Sequence, residues 1–364
     1  MEPDQVLPWL MLAMAEGGSG QPIAALLDPA ARPDEVLTWT AAQAQAQGVP
    51  EAAAHRLSSP RLRAEADAAL AAAQARGVRV LCPPDPDYPA TLRDLPLRPA
   101  ALFALGDVQC LARERPTVTI VGTRTPTPYG CEAARHFATA LAEVGIGLVS
   151  GLALGIDALV HQCALAQGAP TLAVLAAGLD AIYPREHEAL ARDLVARRGL
   201  LLSEAPCGRA PHRGAFPRRN RLLAALGAGV LVIEAGIKSG TLITARWALD
   251  YGRAVFAVPG AWSSPHSAGC HALIADGAQI ATDPTELLAA LCLSPTRSPA
   301  ASTQLAGDAS DQELMALLRT GPLPFDQAAR ESGADRAAFL LRTTRLIAAG
   351  RLRRLPGNLL ALGR

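Results

Sequence analysis

The sequence predicts an α/β protein whose doubly wound, mostly parallel sheet is preceded by a small helical domain and followed by a winged helix. Three observations lead there. The chain has 364 residues, half of them apolar and 18% charged, the balance of a globular protein of two or three domains. From residue 78 to about 293, short apolar β-branched runs alternate with helical stretches, as parallel strands buried on both faces do. After residue 310, three helical patterns lead into a hairpin pattern.

Taken in order, residues 1–80 carry Ala-rich amphipathic runs such as 65–76, broken at Gly17-Gly18-Ser19-Gly20, Asp28-Pro29, Arg32-Pro33 and Gly48-Val49-Pro50. Short helices joined by glycine turns suggest a helix-hairpin-helix or SAM-like domain. In the second domain, 81–293, strands are expected at 117–121, 147–150, 171–175, 200–203, 230–233, 254–258 and 279–281. Helices are expected near 130–144, 156–167, 187–197, 219–227, 241–251 and 284–292. Residues 294–310 are rich in Ser, Pro and Ala and read as a linker. Residues 311–364 give helices at 311–319, 324–331 and 336–349, then strands on either side of Pro356-Gly357.

The formal charge of +1 excludes a generally basic, histone-like protein, but it hides a distribution. Residues 1–80 hold six Arg against nine acids, 81–310 hold nineteen bases against nineteen acids, and 311–364 hold nine Arg against five acids. Only one basic residue of 34 is a lysine, Lys238. Met1-Glu2-Pro3-Asp4 lacks the basic and apolar regions of a signal peptide, and the uncharged stretch 158–179 is broken by His161, Gly168 and Pro170. A cytoplasmic protein without a membrane span is expected. The seven cysteines are scattered, with no C-x-x-C spacing, so neither a disulfide framework nor a metal site is expected.

In doubly wound sheets, ligands gather outside the carboxyl ends of the strands. The first strand runs into Val121-Gly122-Thr123-Arg124, a tight turn with exposed N–H groups, a hydroxyl and a guanidinium fork suited to phosphate. The second ends at Ser150-Gly151, with Gly155 and Asp157 following. That spacing is not G-x-G-x-x-G, and Gly236-Ile237-Lys238-Ser239-Gly240 is not a P-loop, so no nucleotide cofactor is expected. Residues 205–233 hold Arg209, Arg213, Arg218, Arg219 and Arg221 and no acid, a local +5 that marks a polyanion site. Phe216 lies among them, placed to stack on a base while the guanidiniums hold phosphates. The alternative is a core phenylalanine with the arginines paired to Glu204 and Glu234. Ser239-Gly240-Thr241 offers a helix head to another phosphate. Glu204 and Glu234 both end strands and so could form a metal-binding or general-acid pair, but no nucleophile with a base partner stands near them. They are read as orienting the arginines, and no catalytic residue is assigned.

These residues resemble the DprA/Smf family of DNA-processing proteins over about 88–281. The resemblance rests on Tyr88-Pro89, Val121-Gly122-Thr123-Arg124, Ser150-Gly151 through Gly155-Ile156-Asp157, Gly178-Leu179-Asp180 with Tyr183-Pro184, Phe216-Pro217 with Arg219-Asn220-Arg221, Glu234-Ala235, Ser239-Gly240 with Leu242-Ile243-Thr244, and Val258-Pro259-Gly260. It implies a non-enzymatic protein with an extended Rossmann-like domain that dimerises. Such a protein binds and protects single-stranded DNA without sequence preference and loads the RecA recombinase in natural transformation. It implies a basic pocket of Gly122, Thr123, Arg124, Arg213, Phe216, Arg219, Asn220 and Arg221. Thr123, His187 and Cys270-His271 depart from the residues usual in the family. The contrasting reading is a nucleotide-processing enzyme like the lysine-decarboxylase-like phosphoribohydrolases, of whose phosphate loop only Ser239-Gly240-Thr241 is present. Release of base from nucleoside monophosphates separates the two. For the winged helix, Arg342, Arg345, Arg351, Arg353 and Arg354 are candidates for duplex DNA, against a role in protein contact.

Overall fold

The structure, a computed structural model, describes residues 2–16, 23, 33–112, 116–294, 309–318, 321–333, 339, 342–343, 346–347, 351–355 and 359–362. The breaks at 17–20 and 28–29, nearly all of the 294–310 linker, Arg336, Arg345 and the turn at 356–358 lie outside the described residues. The chain forms two compact units, Met1–Pro299 and Ala300–Arg364.

The first unit opens with α1 (Pro3–Ala15), α2 (Pro33–Leu37), α3 (Ala41–Ala46), α4 (Glu51–Leu57) and α5 (Leu62–Gln74). A reciprocal cap starts α3: Gln43 N–H donates to Thr40 Oγ1 (3.3 Å) and Thr40 N–H donates to Gln43 Oε1 (2.8 Å). Then come β1 (Arg79–Leu81), α6 (Ala90–Arg93), β2 (Leu102–Gly106), β3 (Thr117–Val121), α7 (Pro128–Glu143), β4 (Gly147–Ser150), α8 (Ile156–Ala166), β5 (Thr171–Leu175), α9 (Glu188–Ala196) and β6 (Leu200–Ser203). The unit closes with α10 (Ala215–Leu226), β7 (Gly229–Val232), α11 (Thr241–Asp250), β8 (Ala254–Ala257), α12 (Ala268–Ala275), β9 (Gln279–Ile280) and α13 (Pro284–Ala290).

The nine strands form one sheet in the order β1-β2-β6-β5-β4-β3-β7-β8-β9. Strands β6 to β9 in that order are parallel, while β1 and β2 add an antiparallel margin. The antiparallel pair is not foreseen, because Leu102–Gly106 holds no β-branched residue and Arg79–Leu81 is three residues long. Side-chain alternation divides the core by face. Val121, Val149, Val174 and Val232 meet Leu222, Leu223 and Ala245 of α10 and α11. Ile120, Leu148 and Leu231 meet Phe137, Leu141 and Val160 of α7 and α8. Ala173, Leu175 and Leu201 join Leu10, Leu57 and Leu62, so α1, α4 and α5 close over the β5–β6 side. Connections run from β3 through β4 and β5 to β6 in one direction and from β7 through β8 to β9 in the other. The reversal between β3 and β7 opens a crevice at their carboxyl ends.

Helix α10 begins at Ala215, four residues before the expected start. Pro217 falls in its first turn, where a missing N–H costs no helical bond, so the helix can start ahead of the proline. Helix α12 is a further element that no periodicity announced.

The second unit contains α14 (Ala309–Leu317), β10 (Leu323–Pro324), α15 (Phe325–Glu331), β11 (Leu352–Leu355) and β12 (Leu359–Leu362). Its sheet runs β10-β12-β11, and Leu314, Phe325, Phe339, Leu352 and Leu360 form its core.

Candidate nucleic-acid interface

The crevice is a cleft of about 540 Å³. One wall is the loop after β3 with the head of α8; the other is the loop after β7 with the head of α11, and the first turns of α10 run along it. Close backbone packing shapes the first wall. A Cβ on Gly122 would stand 2.5 Å from Ile156 Cγ1, and one on Gly155, whose φ is +80°, would stand 2.5 Å from the Thr123 carbonyl oxygen. The Thr123 N–H donates to the Glu234 carbonyl (2.8 Å) and its own carbonyl accepts from Ile156 N–H (3.2 Å), so β3, β7 and α8 meet at one residue. Arg124 then leaves the turn exposed, its guanidinium carbon 5.5 Å from the centre of the Phe216 ring. Tyr183 meets the same ring edge-on at 5.8 Å.

On the opposite wall, the Ser239 hydroxyl donates to Thr241 Oγ1 (3.0 Å), and the Thr241 hydroxyl donates across to the Gly122 carbonyl (3.0 Å). Asn220 Nδ2 donates to the Gly240 carbonyl at 3.2 Å, tying α10 to the head of α11. Lys238 is exposed at the rim, and Pro265 and His266 complete the lining.

Arg219 lines the floor yet is only 7% exposed. Its Nη1 donates to the carbonyls of Gly151 (2.8 Å) and Val174, at the ends of β4 and β5. Asp157 faces it and accepts N–H bonds from Gly151 (3.1 Å) and Ala153 (3.3 Å). Burial raises the Asp157 carboxyl above its ordinary range against the pull of Arg219. Burial likewise lowers Arg219 to about 10, with Asp157 pulling it up and Arg124 pushing it down.

The expected residues thus separate. Gly122, Thr123, Arg124, Phe216, Arg219, Asn220, Ser239, Gly240 and Thr241 converge on the cleft. Arg213 is exposed in the turn before α10, outside the lining. Arg221 is turned away: 2% exposed, it pairs with Glu204, which also lies 3.5 Å from Arg218 Nε. Ser150 and Gly151 do not present phosphate donors. The Ser150 hydroxyl donates to the Ile120 carbonyl (2.7 Å), and Asp157 takes the Gly151 N–H.

Of the two strand-ending glutamates, Glu204 orients arginines as expected and Glu234 does not. Glu234 accepts from the Thr127 N–H (2.9 Å) and hydroxyl (2.7 Å) at the head of α7. The unusual residues at family positions make loop hydrogen bonds of their own. His187 Nδ1 lies 2.8 Å from the Leu152 carbonyl and His271 Nε2 lies 3.2 Å from the Gly260 carbonyl. Sequence reasoning missed Lys238 and His266 at the rim; the signal for Lys238 was its standing as the sole lysine of the chain. Asp157 and Tyr183 were seen only as parts of motifs.

Within the second unit, Arg342 Nε lies 3.7 Å from Asp311 and Arg354 sits 5.0 Å over the Phe325 ring, while Arg351 and Arg353 are exposed. Arg345 lies outside the described residues. Among the described residues there is no cluster of three His, Cys, Asp or Glu fit to hold a metal, and no helix long and apolar enough to cross a membrane.

Known proteins resemble this chain in sequence and fold. The chain is 44% identical over 220 residues to protein Smf of Synechocystis, a match covering 60% of this chain and 55% of that one, so it spans about half that relative's length. Its fold matches the crystal structure of DNA processing protein A from Streptococcus pneumoniae with a TM-score of 0.63 and 30% identity, over 77% of this chain and 97% of that one. A structure of DNA processing protein A from Helicobacter pylori, described for its single-stranded DNA binding mode, matches with a TM-score of 0.53 and 32% identity over 59% and 95%. The family model for DNA recombination-mediator protein A takes in residues 79–292, from the antiparallel margin of the sheet through every loop of the cleft. By sequence and fold alike, the chain belongs to the DNA recombination-mediator protein A family.

Proposed function

We propose that this protein binds single-stranded DNA without sequence preference in the β3–β7 cleft, protects it, and loads the RecA recombinase onto it during DNA uptake. It acts as a binder and not as a catalyst, works as a homodimer, and uses the 311–364 winged helix for duplex DNA. The observation that carries the reading is Arg124 standing exposed over Phe216 at the mouth of an open cleft, with Lys238 on the facing rim. A cation over an aromatic face offers charge to a phosphate and a flat surface to any base, which gives affinity without a sequence code. The Helicobacter pylori relative, described for its single-stranded DNA binding, supports the same use of this fold.

The test is affinity for an oligothymidylate as a function of salt. The exposed cations at and beside the cleft are Arg124, Arg213 and Lys238, because Arg219 and Arg221 are buried. Neutralising about three phosphates gives a slope of log affinity against log salt of about −2. Arg124→Glu is expected to weaken binding and flatten that slope. A flat slope in the unaltered protein, or an Arg124→Glu variant that binds as well as its parent, rejects the reading.

A further inference from the structure

Among the described residues, one large aromatic side chain on a loop that also lines the cleft stands almost wholly exposed. Trp262 is 91% exposed, whereas Trp9 is 5% exposed and Trp39 and Trp247 are half-buried. It sits in the loop after β8, on the edge of the sheet where the carboxyl ends of β3 and β7 open the cleft. Strand β8 is two places from β3, about 10 Å across the sheet.

The loop that carries Trp262 is held in place. Ser264 N–H donates to the Ala261 carbonyl (2.9 Å) and Ser267 N–H to the Ser264 carbonyl (3.1 Å), so Trp262 occupies the corner of a hydrogen-bonded turn. The Tyr129 hydroxyl holds the Pro259 carbonyl, and His271 the Gly260 carbonyl. The same loop forms cleft wall through Pro265 and His266, and the Pro265 carbonyl oxygen lies 3.5 Å from where a Cβ on Gly236 would stand. Three residues of chain place the Trp262 Cα within about 11 Å of Pro265. Residues 259–271 contain two histidines and no acid, so nothing on this loop repels a phosphate backbone.

We propose that Trp262 is a stacking platform for a nucleobase of the single strand as it passes out of the cleft over the β8 side. An indole on a fixed turn presents an apolar face at little ordering cost, and every base can stack on it. The inference rests on the cleft reading given above, and it extends the strand's path one loop further than the Arg124–Phe216 pair.

The full-length protein is titrated with an oligothymidylate of about 20 nucleotides and with its abasic counterpart, and affinity and tryptophan emission are followed. Binding of the oligothymidylate is expected to quench emission. Trp262→Phe should lose most of the quench and keep most of the affinity. Trp262→Ala should bind about five-fold or more weakly with an unchanged salt slope. The abasic strand should bind Trp262→Ala and the parent alike. A Trp262→Ala variant with parental affinity, beside an Arg124→Glu variant that has lost binding, overturns this inference and leaves the cleft reading standing. A parent protein that binds no single strand overturns both. At 91% exposure, neither Trp262 variant disturbs the core.

Discussion

Arg219 shows how a charged residue can shape a site from its floor with almost none of its surface exposed. Its guanidinium fastens the ends of β4 and β5 through the carbonyls of Gly151 and Val174, and Asp157 balances its charge where burial disfavours both ions. Arg219→Met is therefore expected to cost about 3–5 kcal/mol in urea unfolding, since it strands a buried carboxylate. A stability loss below 1 kcal/mol, on the order of an exposed ion pair, would show that Asp157 relaxes into solvent instead. The sequence located this arginine through its acid-free neighbourhood but could not show its direction. Residues 218 to 221 fall on different sides of one helix, and charge counting treats those sides alike. Arg124 was legible because a residue leaving a strand-end turn has nowhere to point but outward.

Helix α10 works as a hinge pin between charge systems. Phe216 and Asn220 serve the cleft, while Arg218 and Arg221 reach Glu204, and Arg218 Nη2 also holds Glu16 at the end of α1 (2.6 Å). Burial pushes the Glu16 carboxyl from its ordinary 4.5 up to about 7, with Arg218 pulling it down and Glu204 pushing it up. The folded protein therefore holds a proton there that the unfolded chain has released, so Glu16 withdraws stability as pH rises from about 4.5 to 7 and adds no further change above. Glu16→Gln should remove that component, read as a shallower fall of unfolding free energy with pH than in the parent; parallel pH curves would contradict it. At this scale most strands were readable from β-branched runs, while α10 starts four residues ahead of the expected 219, with Pro217 accommodated in its first turn. The Glu16–Arg218 tie joins residues 202 apart and leaves no trace in local pattern.

Over the whole molecule, the net charge of +1 conceals a division of labour among the basic residues. Some hold elements together from within, and a few stand at the cleft rim. The β3–β7 cleft lies wholly in the first unit, and the second unit has a core of its own. A chain ending at residue 293 is thus expected to keep its single-strand affinity and lose duplex affinity. Unchanged duplex binding in that truncation would remove the DNA role from 311–364. The bonds from Arg219 to the two strand-end carbonyls also bear on time. A floor already bolted to the sheet need not be assembled for a ligand, so if the cleft takes a single strand as proposed, its association rate is expected to follow encounter and electrostatic steering and not rearrangement of the protein.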